Sequence, residues 1–194
     1  MKKIFAILAA AFAVLLTNGC AAPDPVIMSE VFQLQKGQEI RTACNLWYTD
    51  PANVDCRNIQ QGSFIPLGTP IVPVEADNTE RKITFKALGK TFTIDFKSSI
   101  RLCTMRDFIS ETFTTKTADE MLKGIPANIR QRIVRGEVVP GMNRQQVILA
   151  YGLPPAARTP DLKNETWIYW VSDTQTIRLV FRGDTVRQIL ESAK

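Results

Sequence analysis

The sequence predicts an α+β protein of two modules. A small all-β, barrel-like module comes first, followed by a two-layer module of two helices on a three-stranded antiparallel sheet. Three observations predict this. Residues 40–103 mostly alternate apolar and polar side chains with period two. From residue 104 the rhythm turns helical, with caps and glycine stops at short intervals. Residues 166–192 then return to alternation in three short runs.

In chain order, the first element is an export signal. Lys2 and Lys3 form a positive start, Ile4 to Leu16 form an apolar run too short for a comfortable membrane span, and Thr-Asn-Gly-Cys follows at once. Residues 1–19 are therefore expected to be removed. The ending resembles a lipoprotein signal, with Gly19 before Cys20, Ala21 after it, and Thr17 where leucine is usual. Cys20 is then the lipidated residue; ordinary cleavage after a small residue such as Ala21 is the alternative. A lipidated chain is anchored to a membrane without crossing it. Residues 20–39 read as a polar anchor linker or a first strand. Loss of Lys2 and Lys3 lowers the formal net charge from +5 to +3, which is mildly basic and no nucleic-acid footprint.

The β module spans residues 40–103. "KITFKALGKTFTIDF" reads as strand, tight Leu-Gly-Lys corner and strand, with Ile83 and Phe85, then Phe92, Ile94 and Phe96, on one face. "GSFIPLGTPIVPVEA" carries three prolines and two glycines, which suit edges and bends rather than central strands. A compact barrel of the Src-homology type is the expectation. Export also implies an oxidising compartment. With Cys20 assigned to lipid, Cys44, Cys56 and Cys103 remain, enough for one intramolecular bridge. Cys44 and Cys56 flank "NLWYTDPANVD", which reads as two short strands about a turn, so they are the preferred pair. Cys103 as a partner of either, and three reduced thiols, stay open as alternatives.

The second module spans residues 104–194. "TADE" at 117–120 is a capping box, with Gly124 as a stop; Pro126 opens a further helix that Gly136 closes. Then comes "GMNRQQVILAYGLPP", residues 141–155. Gly141 permits a sharp entry, Asn143 and Gln146 form a capping-box variant, Gly152 suits the left-handed end, and Pro154 forbids further helix. Val147, Ile148 and Tyr151 share a face, and Arg144 and Gln145 are expected to look outward. A helix of this length does not survive alone. Its expected partner is the sheet formed by "TWIYWV", "TIRLVF" and "TVRQILES", an antiparallel meander by its short connections.

Gly136, Gly141-Met142, Gln146-Val147, Gly152 and Pro154, then Trp167, Tyr169 and Phe181, stand in an order that resembles the BamE/SmpA type of small outer-membrane lipoprotein. The resemblance covers residues 117–192. It implies a helix-helix-sheet scaffold that assists the machinery assembling outer-membrane β-barrels, on the periplasmic face of the bacterial outer membrane. Related domains of this shape also occur as protein-inhibitor modules. The chain adds the N-terminal β module and the long "TPDLKNE" loop to that pattern.

The chemistry the chain lacks narrows the function. There is no histidine, which removes His-based triads, Cys-His dyads and HExxH metal sites. "LGKT" at 88–91 lacks the earlier glycine of a phosphate loop, and "RGD" at 182–184 reads as a hairpin turn. No carboxylate pair stands out as an acid/base dyad. No cofactor, metal or nucleic acid is expected, and the chain is not expected to be an enzyme. The favoured reading is a lipid-anchored scaffolding or binding protein with outer-membrane or periplasmic partners. The second is a periplasmic inhibitor or an enzyme with an unrecognised site. The candidate contact is the loop from Leu153 to Glu165, stiffened by Pro154, Pro155 and Pro160, with Arg158, Asp161 and Lys163 as charged contacts.

Overall fold

The computed structural model describes residues 22–191, so the expected signal and Cys20 lie outside the described residues. The first part of the chain forms α1 (Met28–Val31), β1 (Ile40–Thr42), β2 (Leu46–Tyr48), β3 (Val54–Asp55), β4 (Ser63–Ile65), β5 (Pro70–Asp77), β6 (Lys82–Ala87), β7 (Lys90–Asp95), α2 (Ser98–Arg101), α3 (Met105–Thr112) and β8 (Phe113–Thr114). The second part forms α4 (Ala118–Leu122), α5 (Ala127–Val134), α6 (Arg144–Tyr151), β9 (Thr166–Trp170), β10 (Thr176–Arg182) and β11 (Thr185–Glu191). The protein is α+β, a curled mixed sheet in a half-barrel with a separate three-stranded antiparallel sheet and helices.

The first sheet has the order β3-β7-β6-β5-β1-β8. The hairpin expected from "KITFKALGKTFTIDF" is β6 and β7, with Leu88 and Gly89 at positive φ in its two-residue turn. Ile83, Phe85, Phe92 and Ile94 point to one side and are fully buried, with Met105, Phe108 and Ile109 of α3 in the same core. Helix α3 starts with a capping box between Thr104 and Asp107.

Three sequence expectations change here. "PIVPVEA" is not an edge: β5 is an interior strand between β6 and β1. The proline in its middle is tolerated because the register shifts between Pro73 and Glu75, a bulge where no ladder donor is needed. Residues 22–39 are not a free linker. Pro25 bridges Asp77, the Val26 N–H donates to the Ala76 carbonyl (2.7 Å), and Met28 is buried in the core. The core also takes in α3 and Phe113, so it extends past residue 103.

The second sheet is the expected meander, in the order β11-β10-β9. Trp167, Tyr169, Ile177, Leu179, Phe181 and Val186 face a second core with Ile133, Met142, Val147, Leu149 and Ala150. Leu67, just after β4, reaches into that core from the first part of the chain. The two modules therefore interlock.

Candidate functional site

Helix α6 begins as its sequence requires. Asn143 Oδ1 accepts from the Gln146 N–H (2.9 Å), and Gln146 Oε1 accepts from the Asn143 N–H (2.9 Å). Its burial differs from a one-face expectation. Val147, Leu149 and Ala150 are all buried, because the helix is covered on two sides, by the second sheet and by the β2 region.

The helix end shows why two prolines follow. An α-helix leaves its last four carbonyls without an intrahelical donor, and the next residues usually supply some of them. Pro154 and Pro155 have no N–H to offer Ala150 and Tyr151 four residues back. Donors arrive from elsewhere in the chain. The Asn45 N–H donates to the Leu149 carbonyl (3.3 Å) and Asn45 Nδ2 to the Ala150 carbonyl (3.2 Å). Asn58 Nδ2 donates to the Tyr151 carbonyl (2.8 Å) and the Tyr169 hydroxyl to the Gly152 carbonyl (2.8 Å). Arg101 Nη1 donates to the Leu153 carbonyl (3.2 Å). Five successive carbonyls are thus capped in trans, four bonds coming from the first module.

Asn45 is the centre of this joint. It is fully buried; its Nδ2 also donates to the Ile133 carbonyl (2.7 Å), and its Oδ1 accepts from the Leu67 N–H (3.0 Å). Gly152 has φ 78° and ψ −178°, a conformation only glycine adopts readily, rather than the left-handed helical end expected. A Cβ there would lie 3.0 Å from Asn58 Nδ2 and 3.1 Å from Cys44 Sγ.

Arg101 is buried beside the joint, paired with Glu111 (3.1 Å) and stacked on Phe108 (5.1 Å). Cys44 and Cys56 line the same small pocket as Arg101 and Gly152. They are free thiols, so the expected bridge is not formed. The reason is topological. The strands between them do not pair with each other: β2 pairs with β4, and β3 runs parallel to β7. Burial pushes the Cys44 thiol up to about 12 and raises Cys56 as well. Cys103 is also raised by burial. Thiols held protonated are poor nucleophiles, and Cys44 and Cys56 are buried as well. Among the described residues no three His, Cys, Asp or Glu side chains gather as a metal site.

The other residues singled out in the sequence fall in three places. Met142, Val147, Trp167 and Tyr169 are core; Gln146 caps; Gly141 makes the turn before α6 at φ 95°; Pro154 is buried under the joint. The loop charges do not act as one cluster. Asp161 closes its own turn by accepting from the Lys163 N–H (2.8 Å), and Lys163 is exposed. Arg158 instead lies over the Trp170 ring (5.3 Å), at the far end of β9 from that turn. Arg144, expected to look outward, pins the loop. It stacks on Phe181 (4.2 Å) and Trp167 (5.1 Å) and donates to the Leu162 (2.7 Å) and Asn164 (3.0 Å) carbonyls.

The outer face of the second sheet is the remaining surface of note. Ile168, Arg178 and Leu190 form a cross-strand row, and Val180 and Trp170 flank it. Ile168, Trp170 and Val180 are half-buried, whereas Arg178 and Leu190 are exposed. Arg57 also stacks on Trp170 (5.1 Å) and is paired with Asp55 (2.6 Å) and Asp173 (2.8 Å). Burial alone would raise Asp55, but hydrogen bonds and charge from Arg57 hold its carboxyl below the usual value. The face mixes apolar and cationic side chains, with Arg178 on the central strand between Ile168 and Leu190.

Comparison with family models, with characterised proteins and with solved structures finds no match to this chain.

Proposed function

We propose that this is an exported, lipid-anchored adaptor, tethered through Cys20 to the periplasmic face of the outer membrane. Its second sheet docks a protein partner. The observation that carries the reading is the outer sheet face: Ile168, Trp170, Val180 and Leu190 with Arg57, Arg158 and Arg178, on a sheet whose other face is the core. Aromatic and arginine side chains on a rigid support suit a protein interface, where they lose little entropy on docking. The joint at α6 supports the same reading. It fixes the sheet to the anchored module, so a partner held on one is positioned by the other. The BamE/SmpA resemblance makes the barrel-assembly machinery of the outer membrane the partner to test.

The test is affinity purification of the membrane-extracted protein, with barrel-assembly components as the readout. The wild type is expected to bring them down. Arg178→Glu combined with Leu190→Asp should lose them while keeping its melting temperature, since both side chains are exposed. Undiminished recovery with the folded double variant would remove this face from the interface.

A further inference from the structure

A second apolar surface lies on the first module, and it does not face the joint. Ile27, Val72, Val74 and Leu88 are 51%, 63%, 54% and 59% exposed. They are connected. Ile27 and Val74 line one groove of about 460 Å³ with Pro25, Leu34 and Pro73. Val72 stands two residues along β5 and is the cross-strand neighbour of Lys86. Leu88 tips the β6–β7 hairpin two residues beyond Lys86, with Lys90 across the turn. These aliphatic residues stand along β5 from the N-terminal segment to the hairpin tip, with Glu75 at the groove and Lys86 and Lys90 at the tip.

The position of Ala22 gives this strip a neighbour. The Ala22 carbonyl accepts from Thr79 Oγ1 (2.9 Å), and the Asn78 N–H donates to the Asp24 carbonyl (2.9 Å). These bonds hold the first described residue at the end of β5 remote from Leu88. Cys20 is two residues before Ala22, a reach of only about 7 Å. An acyl anchor on Cys20 therefore brings the bilayer surface to one end of the strip, and the groove is lined by residues only a few positions further along the chain.

We infer that the Ile27–Val74–Val72–Leu88 strip lies against the bilayer, with Lys86 and Lys90 at anionic headgroups. The inference rests on the anchor at Cys20 proposed above. Interleaved aliphatic side chains and lysines suit the headgroup boundary, where stems bury and charges stay wet. The acidic residues nearby do not oppose it at the tip: Glu80 is paired with Lys82 (3.5 Å), and with Glu75 it stands toward the anchor end of the strand pair. Lying flat on the strip fixes the orientation of the first module, and through the joint that of the docking face.

The test uses the full chain purified from membranes and reconstituted into vesicles of phosphatidylethanolamine and phosphatidylglycerol carrying a nitroxide-labelled lipid. An environment-sensitive fluorophore is attached at Val74→Cys, Leu88→Cys or, as control, Lys163→Cys, each with Cys103→Ser. Flotation with the vesicles reads the anchor; quenching reads the strip. The expected result is flotation of all three, with labels at 74 and 88 quenched several-fold more than at 163. Lys86→Glu with Lys90→Glu should reduce quenching at 88 on these vesicles. Flotation with equal, weak quenching at all three positions overturns the strip contact and leaves the anchor standing. Failure to float overturns the anchor, and with it this inference. A blue-shifted but unquenched label at 74 means that protein, not lipid, covers the strip.

Discussion

Asn45→Ala is the sharpest perturbation of the joint. Truncation removes three bonds made by a fully buried side chain. The Ile133 carbonyl keeps a partner, because the Gly136 N–H also donates to it (2.9 Å). The Ala150 carbonyl does not, since the residue four positions on is Pro154. The Leu67 N–H likewise loses its acceptor. Two buried backbone groups are left unpaired at about 1–3 kcal/mol each, so the expected loss is roughly 2–6 kcal/mol. That is a large share of the roughly 5–15 kcal/mol by which domains are stable. Urea unfolding, followed by tryptophan fluorescence, measures it against Asn53→Ala, an exposed control expected within about 0.5 kcal/mol of wild type. A loss below about 1 kcal/mol for Asn45→Ala would mean that the carbonyls find other donors and that the trans-capping argument is wrong.

Other outcomes follow from the same geometry. Gly152→Val should destabilise by well over about 1 kcal/mol, because strain adds to contacts with Asn58 and Cys44; Gly141→Val should cost less, having a positive φ but nothing within 4 Å of an added Cβ. Equal melting temperatures for the two variants would count against that ranking. Cys44 has a folded value raised from 9.0 to about 12, so its contribution is fully present below pH 9 and is lost as pH rises toward 12, by up to about 1.4 kcal/mol per pH unit. Melting scans from pH 8 to 11 should show a shallower alkaline decline in Cys44→Ala than in wild type; parallel curves would contradict it. Asp55 is lowered, so its contribution is present above its ordinary value near 3.8 and is lost as pH falls through the folded value. Asp55→Asn should flatten the acid limb of the same scan. Labelled palmitate should enter the wild type and not Cys20→Ser; an unlabelled, soluble wild type would remove the anchor.

Local signals carried much of the fold. The three C-terminal strands, the β6–β7 hairpin and the caps at Thr117 and Asn143 were legible because period, turn chemistry and capping act within a few residues. The joint was not. Pro154 and Pro155 announce two carbonyls without local donors, but nothing near Asn45 or Asn58 marks them as the donors some 90 to 105 residues away. The thiol pairing failed for the same reason, since strand partners for β2 and β3 are chosen by distant residues. Arg144 reads as an exposed helix residue by periodicity, yet two aromatic rings and three carbonyls draw it inward. The candidate loop was found as a loop; the outer sheet face beside it needed the register of β9, β10 and β11.

Helix α6 locks the two modules into one body, so that the proposed anchor and the proposed docking face would keep a fixed mutual orientation. Residue-resolved hydrogen exchange measures this directly. Amides of β6 and β10 should open with the same free energy, and Asn45→Ala should lower both by the same amount. Independent opening of β10 at lower free energy, or a change confined to one module in the variant, would contradict it.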